Sequence, residues 1–158
     1  MESRLGTARE SFGTRLALRR TMPPRRSRQG TQLHVGVVSK NPDTLDGLQS
    51  YLRGAGVATS GTRRIAQSGK LCRVSSALIF FPDDFEWDAV VAALENCRRQ
   101  RPSMLPVLVT QHPRRFEALA WPGDGALPLV VPKPAWGFTI LDAIRTRLDG
   151  RQQEEEEE

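Results

Sequence analysis

Cysteine, histidine and lysine are scarce in this chain, and their scarcity narrows the chemistry it can perform. Of 158 residues, two are cysteine, two histidine and three lysine. Cys72 and Cys97 form no CxxC pair and have no histidine at zinc-ligand spacing, so reduced thiols are expected. His34 and His112 stand far apart, with no acid or cysteine at a useful spacing, and neither reads as a catalytic base. The expectation is therefore no enzymatic activity, no metal and no cofactor. A glycine-rich phosphate loop is also missing, which weakens any nucleotide-binding reading.

Long hydrophobic runs are absent too. No stretch approaches the roughly 20 apolar residues of a membrane-spanning helix, so no membrane association is expected and the chain reads as cytoplasmic. Residues 1–22 lack the apolar core of a secretory signal. Their Arg and Ser content is that of an organellar transit peptide, of a disordered tail, or of an extension upstream of a start at Met22.

Charge is distributed unevenly along the chain. The formal net charge is +5, but residues 1–31 hold eight arginines against two glutamates, and the sequence ends in five glutamates. From Leu33 to Gly150 the count is 14 basic and 11 acidic residues, a balance that makes nucleic acid an unlikely partner. The expected organisation is a disordered Arg-rich tail over 1–31, one domain over 32–150 and a disordered acidic tail over 151–158. Arginine outnumbers lysine 20 to 3, pointing to a GC-rich bacterial coding sequence.

Between the tails, apolar runs alternate with helical patterns. Strands are expected at His34–Val38, Val57–Ser60, Ala77–Phe81, Leu105–Thr110 and Leu127–Val131. Asn41 and Pro42 read as N-cap and first residue of a helix bearing Leu45, Leu48 and Leu52. A short or irregular helix falls within 61–76. Trp87, Val90, Val91 and Leu94 mark a longer helix, capped by Asp83 or Asp84. Two more are expected at Arg114–Trp121, with Phe116 inward, and at Ala135–Leu148, with Phe138, Leu141, Ile144 and Leu148 inward. The alternation predicts an α/β fold: a flavodoxin-like, doubly wound, five-stranded parallel sheet of order 2-1-3-4-5, with helices on both faces. Pro128 then falls in an edge strand, where a missing N–H is tolerated.

Val130-Val131-Pro132-Lys133-Pro134 and the helix containing Leu141, Asp142, Ala143 and Ile144 carry a resemblance. Over roughly three quarters of its length the chain resembles the response-regulator receiver family, the CheY-like domains, in degenerate form. The resemblance implies that Lys133 matches the family's phosphoryl-contacting lysine and Thr110 its hydroxyl residue. Ser39 and Lys40 then stand where metal-binding acids belong, and Pro82 at the phosphate-accepting aspartate. A one-residue shift places Asp83 there instead, with Asp84 beside it. Gln111 replaces a small residue, and Val130 stands where many receivers carry an aromatic switch residue. Lys40 either pairs with Asp83 or Asp84 or extends into water.

These departures point to a stand-alone pseudo-receiver, a protein-interaction module in bacterial signal transduction that works without phosphorylation. A signalling protein is the expected partner, with a homodimer as a further option. The family implies a face including Phe116, Trp121, Val130 and Trp136. Two other readings stay open: a two-component phosphorelay regulator that accepts phosphate on Asp83, and a flavodoxin-like binder of small molecules.

Overall fold

A computed structural model describes residues 32–117 and 127–157, with side chains as far as Arg151. Residues 1–31, Trp121 and the end of the helix expected at 114–121 lie outside the described residues. Leu33–Glu158 forms one compact unit.

The strands are β1 (His34–Val38), β2 (Ala58–Thr62), β3 (Ala77–Phe80), β4 (Leu105–Thr110) and β5 (Leu129–Pro132). All pair in parallel in the order β2-β1-β3-β4-β5, which is the order expected from the sequence. The helices are α1 (Pro42–Gly54), α2 (Ser68–Val74), α3 (Trp87–Gln100), α4 (Pro113–Glu117) and α5 (Gly137–Glu157). Single 3-10 turns occupy Ile65–Gln67 and Pro82–Asp84.

Asn41 caps α1 as its side chain chemistry dictates, accepting from the Asp43 and Thr44 amides at 2.8 and 3.2 Å. The three central strands are buried on both sides, so their residues divide between two cores. Val35, Val37, Ile79, Val107 and Val109 pack with Leu45, Leu52, Ile140, Leu141 and Ile144 beneath α1 and α5. Val38, Leu78, Phe80 and Leu108 pack with Cys72, Val90, Leu94 and Phe116 beneath α2, α3 and α4. Each fully buried aliphatic or Phe side chain contributes about 1.5–3 kcal/mol. Gly36 lets β1 approach α2 and β3: a Cβ there would lie 2.6 Å from Leu78 Cδ1.

Three local expectations are corrected. Pro128 precedes β5 instead of lying within it. Pro132 is the last residue of β5, and Pro106 lies inside β4, where the ladder explains why it fits. Leu105 donates to Ser76 on the β3 side, so the Pro106 nitrogen faces β5, whose pairing begins only at Val107. Phe138 is 60% exposed, because the inward stripe of α5 is Ile140, Leu141, Ile144 and Leu148, whose centre lies about 100° around the helix from it. The acidic tail is also shorter than expected, since α5 continues to Glu157. Glutamine and glutamate are strong helix formers, and here they extend a helix already anchored by packing.

Candidate functional site

The carboxyl ends of β1, β3, β4 and β5 converge on the 3-10 turn Pro82–Asp84. In a parallel sheet this is the edge where consecutive strands present their loops to one crevice. Pro82 is buried and Phe81 above it is 7% exposed, so the turn is anchored by its apolar residues. The two aspartates that follow diverge to opposite sides.

Asp83 reaches toward β4 and β5. Its Oδ1 accepts from the Thr110 hydroxyl at 2.7 Å, and its Oδ2 from the Gln111 backbone N–H at 2.8 Å. The Lys133 ammonium lies 3.4 Å from the same Oδ2, with the Lys133 and Asp83 side chains 25% and 21% exposed. Thr110 is fully buried, and its oxygen also accepts from the His112 N–H at 2.9 Å. Burial of Asp83 pushes its carboxyl up. The Gln111 amide, the Thr110 hydroxyl and the Lys133 ammonium outweigh that and hold the carboxyl below the usual aspartate value. The Lys133–Pro134 peptide bond is cis.

Asp84 turns toward β1, where its Oδ2 accepts from the Ser39 hydroxyl at 3.1 Å and the Lys40 backbone N–H at 3.0 Å. Ser39 is fully buried. One short turn therefore ties four strand ends together through two carboxylates.

The expected residues are thus largely brought together: Ser39, Lys40, Pro82, Asp83, Thr110 and Lys133 surround the crevice. Of the two alternatives for Lys40, the structure takes extension into water. Lys40 is exposed and meets Asp84 through its backbone amide, and among the described residues its ammonium pairs with no carboxylate. The ion pair forms instead between Lys133 and Asp83, because the Lys133 side chain leaves the end of β5 beside the turn. Neither aspartate caps α3. Its N-cap is Glu86, with no side-chain cap bond. The Asp83–Asp84 dipeptide directly after a strand was the available signal for both roles, but it did not tell which neighbour each acid would choose.

A divalent cation of the kind this fold can carry needs several carboxylate oxygens converging on it. Here the carboxylates point apart, the β1 position is a buried serine, and no group of three metal-ligating side chains exists among the described residues. These residues do not fit such an ion.

Of the residues assigned to a partner face, Phe116 is buried at 5%, packed against Trp87 with ring centroids 5.0 Å apart and planes tilted by 43°, and is unavailable for contact. Arg115 covers Trp87, its guanidinium carbon 4.0 Å from the ring centroid. Val130 is half-buried, and Trp136 is 70% exposed. A cleft of about 170 Å³ lies between the turn and α4, lined by residues including Asp83, Trp87, His112 and Arg115. It is smaller than the roughly 300–1,000 Å³ of most small-molecule sites.

No protein-family model matches the sequence, and no curated protein matches it. Similar solved structures do exist. A CheY-like receiver domain protein from Methanospirillum hungatei is 16% identical, with 78% of this chain and 99% of that one covered and a TM-score of 0.61. A receiver protein from Sinorhizobium medicae is 14% identical, covering 76% and 97%, at a TM-score of 0.64. The receiver domain of an HD domain-containing protein from Pseudomonas fluorescens is 19% identical, covering 78% and 99%, at 0.60. With its β2-β1-β3-β4-β5 sheet and its strand-end crevice, the chain has the fold of the response-regulator receiver domains.

Proposed function

We propose that the chain is a receiver-like interaction module of bacterial signal transduction, cytoplasmic and without catalytic activity of its own, whose crevice is held in one arrangement without metal or phosphate. The observation that carries this reading is the engagement of both turn aspartates by internal donors: Asp83 by Thr110, Gln111 and Lys133, Asp84 by Ser39 and Lys40. A carboxylate with three donors around it is a stabilised, weakly nucleophilic group. Phosphoryl transfer to it also has to overcome anion repulsion, which a cation would otherwise relieve. Ser39 and the exposed Lys40 supply no carboxylate for that cation.

A second reading has one observation in its favour. Asp83, displaced by a single position from Pro82, lies beside both Thr110 and Lys133, the neighbours that an acceptor would use. Incubation of the full chain with acetyl phosphate and Mg²⁺, followed by intact mass, separates the two readings. The proposed module shows no added phosphoryl mass, and stoichiometric addition that Asp83→Asn abolishes would replace it with the phosphorelay reading. For the partner face, Trp136 is the anchor offered, and capture of a signalling partner that Trp136→Ala abolishes tests it.

A further inference from the structure

Charge within the domain is sorted by segment. Residues 61–76, which include α2, and residues 96–104, at the end of α3 and the loop after it, hold seven of the fourteen cations between Leu33 and Gly150 and none of the eleven carboxylates. Cations at a helix carboxyl end complement its dipole, which accounts for Arg73 and Arg99. It does not account for Lys70, nor for a first turn of α2 that carries no acid.

The two segments meet in one surface. Gly69 lets α2 lie against α3, since a Cβ there would sit 3.1 Å from both Asn96 Nδ2 and Gln100 Nε2. Arg73 Nε donates to Gln100 Oε1 at 2.9 Å, and Arg101 Nη1 donates to the Ser75 and Arg73 carbonyls at 2.6 and 3.1 Å. These acceptors are neutral, so both guanidinium groups keep their full charge. Lys70 and Arg99 are exposed, and among the described residues their side chains make no ion pair or hydrogen bond. The nearest acid in sequence is Glu95, one turn before Arg99. Val74, 55% exposed, stands one turn after Lys70 on the same side of α2.

We propose that this α2–α3 face receives an acidic protein segment that carries an apolar residue among its carboxylates. An apolar centre within a charged rim is the make-up of a protein contact, and here Val74 is the centre and Lys70, Arg73, Arg99 and Arg101 are the rim. Nucleic acid would match the charge, but its phosphates leave Val74 uncovered, and neither segment contains an aromatic residue on which bases could stack. The chain's own run of glutamates follows α5, which packs on the other side of the sheet from α2 and α3. A Kd on the order of tens of micromolar at low salt is expected, since one valine buries little area and exposed charges mainly speed association and set register. The inference deepens the interaction-module reading by naming the chemistry of a partner, and it uses neither Trp136 nor Asp83.

Fluorescence anisotropy with the full chain and a labelled helical peptide, bearing glutamates one turn to either side of a leucine, tests it. Binding is expected at low salt and should weaken at least about tenfold when the salt is raised to roughly 0.3 M. Lys70→Glu with Arg99→Glu should weaken it at least about tenfold, and Val74→Ser several-fold. These three side chains are exposed and hold nothing in place, so folding is expected to survive, and circular dichroism checks it. Trp136→Ala should leave peptide binding unchanged, so the face of Trp136 and this one fail or stand separately. No binding at low salt, or binding indifferent to the charge reversals, overturns the proposal. A peptide with serine in place of leucine that binds equally well overturns the role of Val74. A single-stranded oligonucleotide of equal charge that binds more tightly than the peptide overturns the assignment to protein. Self-association in sedimentation velocity that the same reversals abolish gives the face to a second copy's glutamates and overturns the separate partner.

Discussion

Replacing Asp83 tests directly whether the crevice holds itself together. Asp83→Ala deletes three interactions at once: the Thr110 hydroxyl at 2.7 Å, the Gln111 amide at 2.8 Å and the Lys133 ion pair at 3.4 Å. Hydrogen bonds to a charged group are worth about 1.5–3 kcal/mol when well shielded. The Asp83 side chain is 21% exposed and Gln111 faces solvent, so the lower end applies to the hydrogen bonds and well under 1 kcal/mol to the ion pair. A loss of about 3 kcal/mol is expected. Asp83→Asn should cost only about 1 kcal/mol, because the amide can donate to Thr110 while its oxygen still accepts from Gln111.

The pH dependence gives a sharper check on the same site. Asp83 titrates lower in the folded chain than in the unfolded one, where a free aspartate has a pKa of about 3.9. Its contribution is therefore fully present above the unfolded value and is lost as the pH falls through the folded value. Urea unfolding of the wild type and Asp83→Asn at neutral pH and at successively lower pH should show the stability gap closing in that acidic window. A gap independent of pH, or no gap at neutral pH, would refute the argument that the carboxylate charge is what the three donors hold.

Three further outcomes are expected. Asp84→Ala should cost about 1–2 kcal/mol by denaturant unfolding, because the fully buried Ser39 hydroxyl loses its carboxylate acceptor; an unchanged midpoint would mean that this side of the clamp contributes nothing. Gly36→Ala should destabilise by about 1–3 kcal/mol, since its Cβ would meet Leu78 Cδ1 at 2.6 Å and Ser75 Oγ at 2.9 Å in a closed layer; wild-type stability would show that β1 has room to shift. Cys72 and Cys97 should resist a thiol-specific reagent in the native state and react together on unfolding. Both are buried, and burial, reinforced by the neighbouring Cys72, pushes the Cys97 thiol up to about 12. Rapid native labelling would count against that packing.

The elements legible in the sequence were those whose pattern is local. Asn41-Pro42 and the leucines at 45, 48 and 52 define α1 by capping and periodicity alone, and Leu105–Thr110 is a buried strand by its apolar run. Alternation then implied parallel pairing, for which the flavodoxin-like order was the expectation. The errors came where a neighbour decided the outcome. Phe138 looks inward on an apolar count, but the stripe that packs on β1 and β3 includes Ile140 and turns it out. Phe116, inward by its helical register, was also placed on the family-implied partner face, and its packing against Trp87 of α3 decides for the inward reading.

By itself the sequence determined that strands end beside Ser39, Pro82, Thr110 and Lys133 and that these ends lie on one edge, because a parallel sheet with crossover helices presents all its carboxyl ends on the same side. It also settled that Ser39 and Lys40 supply no acidic pair. Only the tertiary structure decided that Lys133, and not Lys40, pairs with Asp83, and that Asp84 turns away to Ser39. That choice depends on ångström-scale placement of a three-residue turn against strands brought together from across the domain, and nothing local in the chain encodes it.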